Sequence, residues 1–251
     1  MKYRSTILLI AVAVSLFTSS CMHYYYAPSS NNIPLLKEKN DGNIELKYSV
    51  GNYYEGVEVQ SAYAVGNHVG VQLNFFTASE SEEDYGSGNG SYIEAAGGYF
   101  KPTTNHKWVF ETYAGIGTGV VNNKYGSAET SKAGVTKFFV QPSFGFTNPY
   151  FDIAIASKFS LANFKVKNSS VNKDAFPVDY DDIQLLKNTK SFFIWEPGIM
   201  MRGGFKSLKF QGSLTIAVPS NSALSIDNVN YSTGIMIPFK PKKQSQVVPT
   251  Q

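Results

Sequence analysis

From Asn43 to Phe239 the side chains alternate in polarity with a period of two, and that period leaves β-strand as the one regular solution. Ile44, Leu46, Tyr48 and Val50 alternate with Glu45, Lys47 and Ser49, and Val69, Val71, Leu73 and Phe75 alternate with Gly70, Gln72 and Asn74. The pattern recurs in Val57–Tyr63, Tyr92–Phe100, Trp108–Thr118, Val135–Phe146, Phe151–Phe164, Ser191–Arg202, Leu208–Ala217 and Val229–Phe239. Ten such segments in sequence order predict an all-β fold, an up-and-down antiparallel meander. Closure into a barrel is expected, because only closure removes both edges of such a sheet. The one departure from strand is a helical turn at Asp182–Lys187, within a loop.

Alternation by itself does not say which face meets water. Connection lengths help. The links after even strands are short (Gly66–His68, Lys101–Lys107, Thr147–Tyr150, Gly203–Ser207). Those after odd strands are mostly long (Ala78–Ser91, Val121–Gly134, Lys165–Lys190, Val218–Asn228), with Gly51–Gly56 the short exception. Tight turns at one end and long loops at the other are the arrangement of transmembrane barrels. One face collects Phe138, Val140, Phe144, Phe151, Ile155, Phe159, Phe193, Trp195, Phe210 and Leu214. The other mixes Gly70, Gly98, Gly115, Gly117 and Gly145 with Glu94, Glu111, Lys137, Asp152, Lys158, Glu196, Arg202 and Lys209, which suits a narrow, water-containing lumen with paired charges. Charged residues make up only 16% of the chain, against about 25% in soluble domains. Phe192, Ile194 and Met200 fall on the polar face and are read as packing near the ends of their strand.

On these residues the chain resembles small outer-membrane barrels of the outer-membrane protein A and W kind, over Asn43 to Phe239. The final strand, VNYSTGIMIPF, closes on Phe239, as such families often close on an aromatic residue. A polar tail, 240–251, runs on past it. The resemblance implies an outer-membrane location, and an even strand count puts both termini on the short-turn, periplasmic side.

The N-terminus is a separate unit. Lys2 and Arg4 precede the apolar run Ile7–Phe17, and Thr18, Ser19 and Ser20 are small. Eleven apolar residues are too few for a spanning helix, which needs about 20. Residues 1–20 therefore read as a signal peptide, and with Cys21 the segment resembles a bacterial, Bacteroidota-type lipoprotein signal. The resemblance implies acylation of Cys21 (palmitate) and membrane lipid as its partner. Residues 21–42 read as a tether, with Tyr24, Tyr25 and Tyr26 either at the headgroup layer or packed under the barrel.

Removal of Lys2 and Arg4 leaves 20 basic against 19 acidic residues and no basic stripe, so nucleic acid is not an expected partner. Cys21 is the single cysteine, which excludes an internal disulfide framework. His23, His68 and His106 lack metal-ligand spacing and fall in the tether and short turns, away from a long-loop active site, so no enzyme and no cofactor is expected. Acidic runs at Glu80–Asp84 and Asp179–Asp182 read as solvated loops, with divalent-cation binding as the alternative. Arg202 with Glu196, Glu111 or Asp152, together with Lys137 and Lys158, is read as a structural charge network. The expected function is a lipid-anchored outer-membrane barrel in a structural, adhesive or envelope-interaction role. The alternatives are a narrow solute channel, or a periplasmic lipoprotein whose soluble barrel binds an apolar ligand.

Overall fold

The computed structural model describes residues 23–82, 86–189 and 191–240; the signal segment, Cys21, Glu83, Asp84 and the tail from 241 lie outside the described residues. The strands are β1 (Gly42–Val50), β2 (Glu55–Ala64), β3 (Val69–Glu82), β4 (Gly86–Pro102), β5 (Trp108–Tyr125), β6 (Glu129–Thr147), β7 (Phe151–Ser169), β8 (Phe192–Gly204), β9 (Lys209–Ile216), the two-residue β10 (Val218–Pro219) and β11 (Val229–Phe239). Each pairs antiparallel with its neighbour, and β1 pairs with β11 from Gly42 opposite Phe239 to Val50 opposite Tyr231. The ring is completed by β8 on β9 and β9 on β11. β10 continues the line of β9 along β8, where Val218 meets Trp195. The barrel therefore has ten strands, as the alternation predicted.

The polarity of the barrel is inverted relative to a soluble protein. Leu73, Phe110, Ile116, Phe138, Val140, Ile155, Phe159 and Trp195 are exposed on the outer wall, while Glu45, Lys47, Glu58, Glu94, Glu111, Lys137, Lys158, Glu196 and Arg202 are buried inside. A soluble barrel with Phe138 and Trp195 around an apolar cavity is therefore ruled out: both side chains point outward. Such an exterior is compatible with hydrocarbon and incompatible with water. At the short-turn end aromatic rings gather, with Trp108 stacked on Phe144 (5.2 Å) and Tyr63 on Phe239 (6.3 Å), as in the interfacial girdles of membrane barrels.

The long connections differ from the sequence reading in one respect. Much of what reads as loop is strand, since β3 and β4 remain paired up to Glu82 opposite Gly86, and β5 and β6 up to Tyr125 opposite Glu129. These extensions carry Ser, Asn, Gly and Lys on both faces, so they lose the alternation that marks the lower strands. A helix, α1 (Pro177–Asn188), sits in the longest loop, where the sequence suggested a single turn. Pro177 starts it, Asp179 lies in its first turn and Lys187 in its last, and only Ile183 and Leu186 form an apolar stripe, too narrow to announce a helix by period.

Substitution of Phe138, 52% exposed on the outer wall, by Lys should destabilise the barrel by about 2–4 kcal/mol. The check is urea unfolding in lipid vesicles, with Lys137→Gln on the lumen side as the comparison.

A lumen filled by the chain itself

The lumen is occupied by the segment that precedes β1. Tyr25, Tyr26, Ser30, Asn31, Asn32, Ile33 and Leu36 are all buried. The segment starts at the long-loop end, where Tyr26 bridges to Ile226 and the amide of Tyr25 donates to the carbonyl of Ser225 (3.0 Å). It descends to the short-turn end, where Leu36 packs on Ala64 and Phe100, and reverses over Lys37–Asp41 into β1. The expected hanging tether is thus, from His23 onward, an internal plug, with Tyr25 and Tyr26 buried inside the barrel and Tyr24 half-buried against Tyr53 at its mouth. His23 stands at the long-loop end and Phe239 at the short-turn end. The expectation that both chain ends lie beside the short turns therefore fits the C-terminal strand but not the segment entering at His23.

A non-regular segment inside a barrel must have its backbone groups satisfied by the wall. Pro28 and Pro34 lower the demand, because they carry no N–H. The wall meets the rest. Glu58 accepts from the amide and hydroxyl of Ser30, and also from Ser49 Oγ (2.6 Å). Gln60 donates to the Ser30 carbonyl (2.7 Å), and Gln141 and Gln72 donate to that of Asn32 (2.7 and 3.3 Å). Asn230 and Tyr54 both donate to the carbonyl of Pro28 (2.9 and 3.0 Å). Near the bottom, Glu111 accepts from the successive amides of Leu35 (3.0 Å) and Leu36 (2.9 Å). Leu35 adopts a left-handed φ of 55°, which turns the two N–H groups toward one carboxylate, an anion nest made from backbone. Such a conformation is unfavourable for leucine, and the bonds to Glu111 offset it.

The lumen charges complete this arrangement. Lys137 bonds Glu94 (2.6 Å), lies 3.8 Å from Glu196 and donates to the hydroxyl of Tyr26 (2.9 Å), which itself donates to Glu196 (2.6 Å). Lys158 reaches Glu94 at 3.5 Å, and Asp152 accepts from Lys209 and Thr147, both at 2.7 Å. Lys47 contacts Glu45 (3.2 Å), Glu58 (3.8 Å), Gln60 and Ser30. Arg202 pairs with Glu45 and Gln211, where the sequence pointed to Glu196, Glu111 or Asp152. Glu45 lies on β1, which becomes a near neighbour of β8 only when the barrel closes. The lumen glycines also have another role than the expected one. A Cβ on Gly70 would come within 2.9 Å of Leu36 Cδ1, one on Gly145 within 2.8 Å of Leu35 Cδ2, and one on Gly198 within 2.7 Å of Asn31 Nδ2. They make room for protein, not for water.

The long-loop end is capped by α1, whose Ile183 and Leu186 join Tyr25, Tyr26, Phe164, Phe192 and Ile194 in one apolar cluster. Phe192 and Ile194 are thereby explained as lumen-facing packing, and Met200 packs on the segment with Ile33 and Leu35. His23 lies at this end, contrary to its sequence placement on the anchor side, and its Nδ1 is 3.4 Å from Asp179. Its Nε2–H donates to the carbonyl of Lys124 (3.0 Å). Ser225 donates to Asp182 (2.5 Å). Among the described residues no group of three or more His, Cys, Asp or Glu is placed to hold a metal ion.

Two titrations at this cap run in the same direction. Burial lowers the affinity of His23 for its proton, but the Asp179 bond and charge, Glu80 and the Lys124 carbonyl outweigh it, so its pKa is raised. Burial pushes the Asp182 carboxyl up to about 6, with Asp179 and Asp181 adding to the rise and the Ser225 bond opposing it. A group whose folded pKa is raised contributes stability below its unfolded value and loses it as pH rises through the folded one. Protection of the α1 amides, corrected for intrinsic exchange, should therefore fall as pH rises from about 4 to 6 and again above the ordinary histidine range, and Asp182→Asn should flatten the lower part of that profile.

Removing Arg202 leaves Glu45 buried beside Lys47 alone. Arg202→Ala should lower stability by about 3–5 kcal/mol, whereas Arg202→Met combined with Glu45→Leu should recover much of the loss. Equal unfolding midpoints for wild type and Arg202→Ala would contradict the structural role.

No protein-family model matches the sequence, and no curated protein matches it. Among solved structures the barrel is similar to Ail, the attachment invasion locus protein of Yersinia pestis, at 11% identity over 80% of this chain and 99% of that one, with a TM-score of 0.38. It is also similar to the translocator domain of the autotransporter NalP from Neisseria meningitidis, at 10% identity over 96% of both chains (TM-score 0.48). The KdgM porin matches at 9% identity over 78% of this chain and 99% of that one (TM-score 0.31).

Proposed function

We propose that the protein is a plugged, non-enzymatic outer-membrane barrel that carries its own N-terminal segment through the lumen and serves a structural, adhesive or envelope-interaction role. The observation that carries this reading is the bonding of residues 23–36 to the lumen wall. These residues contain no Asp, Glu, Lys or Arg, so the wall carboxylates bind their amides instead of charged side chains. A lumen filled in this way has its cross-section taken up by the segment, which disfavours the solute-channel alternative. The outer-membrane setting is supported by the apolar exterior, the even strand count and the asymmetry between short and long connections.

Threading also bears on the lipid. Cys21 precedes His23 by two residues, at most about 7 Å of chain. With the long loops facing outward, acyl chains on Cys21 enter the outer leaflet, on the side opposite the periplasmic turns. The lipid then holds the upper end of the plug, a task that an already embedded barrel does not perform. This gives lipidation of an integral barrel a purpose.

In planar bilayers the wild-type barrel should remain closed, and a variant lacking residues 23–36 should conduct. Steady conductance by the wild type would favour the channel. For the anchor, palmitate incorporation should be lost in Cys21→Ser, and an epitope placed directly after Cys21 should be accessible to antibody on intact cells. Accessibility only after permeabilisation would overturn the direction of threading.

A further inference from the structure

Between the plug and the upper wall, on the lumen side of β3, β4 and β5, lies a small pocket. It is walled by Tyr24 and Tyr26 of the plug, by Tyr54 and Tyr92, and by Glu80 and Asn123. The strand register builds it. Glu80 stands opposite Gly88 and Gly88 opposite Asn123, so the three form one row across three strands, on the inward face. The glycine in the middle leaves a gap between a carboxylate and an amide. A Cβ on Gly88 would lie 2.7 Å from Glu80 Oε1 and 3.0 Å from Asn123 Oδ1, so both oxygens lean over that gap.

The plug fixes the orientation of the amide. Asn123 Nδ2 donates to the carbonyl of Tyr24 (3.3 Å), and the reverse orientation would set Oδ1 against that carbonyl. Oδ1 therefore faces the gap over Gly88. Asn123 is 3% exposed, yet this oxygen has no hydrogen-bond partner. Buried polar atoms are normally satisfied, so the pocket calls for a ligand that brings a donor. Glu80 adds negative charge and no Lys or Arg lines the pocket, which favours a cation. The tyrosine rings favour the same, because their π faces attract ammonium groups.

Volume narrows the choice further. The pocket holds about 40 Å³, where one water takes about 10–15 Å³ on the same measure. That admits a compact group and a methylene or two, and it excludes a ring. An anion would be repelled by Glu80. A divalent cation needs about six oxygen ligands, and among the described residues no group of three or more His, Cys, Asp or Glu is placed to supply them. A primary ammonium meets every condition: it is compact, charged, and carries three donors.

We propose that this pocket binds the primary ammonium end of a linear amine, with its N–H groups on Asn123 Oδ1 and Glu80 and its first methylenes against the tyrosine rings. The ammonium belongs either to a free alkylamine or to a lysine side chain of a polypeptide. The test is calorimetric titration of the complete barrel in detergent with n-butylammonium. Two comparison ligands are 1-butanol, which lacks the charge, and tetramethylammonium, which lacks the N–H. Butylammonium should bind at least tenfold more tightly than either. Glu80→Gln should weaken it at least tenfold, and Gly88→Ala, whose methyl takes the room between the two oxygens, should abolish binding. Each variant must keep the wild-type boiling shift in detergent, so that failure to fold is separated from failure to bind. Nα-acetyl-lysine methylamide binding at least as tightly as butylammonium assigns the lysine source, and weaker binding assigns the free amine. No heat with butylammonium, equal affinity for either comparison ligand, or wild-type affinity in Gly88→Ala would overturn the assignment and leave the pocket to ordered water.

Discussion

A barrel wall facing hydrocarbon outside and a narrow lumen inside has to satisfy its inward polar groups without bulk water. In this protein that requirement is met by a peptide. Glu58 and Glu111 are completely buried, and each receives backbone amides from the segment running between them. The dependence is mutual, because an extended segment with no strand partner has free N–H and C=O groups of its own. Wall and segment each carry what the other lacks.

Two consequences follow from that pairing. The first is rigidity: Lys47 and Lys137 are held by wall carboxylates and by the plug, and Arg202 by Glu45 across the closure, so the charge network ties the closure of the ring to the position of the segment. The second is direction. Since β1 starts at the short-turn end, a segment that fills the lumen immediately before it has to come from the loop end. The fold thereby makes residues 23–36 a connection across the depth of the barrel.

The loop end is the more elaborate part of the molecule. Strands β3 to β7 continue past the apolar band, α1 covers the exit of the plug, and Asp179 and Asp182 face His23 and Ser225 where a solvated acidic run was expected.

Strand count, the lipid-facing side, the lumen-facing side and the placement of Glu94, Lys137, Lys158 and Glu196 were all legible in the chain, because a period of two is a local property that survives whatever a strand pairs with. One hint of the plug was legible too, in the absence of Asp, Glu, Lys and Arg from residues 23 to 36, which is odd for a solvated tether. What the plug touches was not. Tyr26 bonds Glu196 and Leu35 bonds Glu111 across 170 and 76 residues of sequence, and Arg202 finds Glu45 only because β1 closes on β11. Such partners are chosen by the curvature of the closed sheet and the room left at Gly70, Gly145 and Gly198, quantities that no local pattern encodes. The sequence by itself determined a barrel turned outward toward lipid; the tertiary structure decided that its interior belongs to its own N-terminal segment.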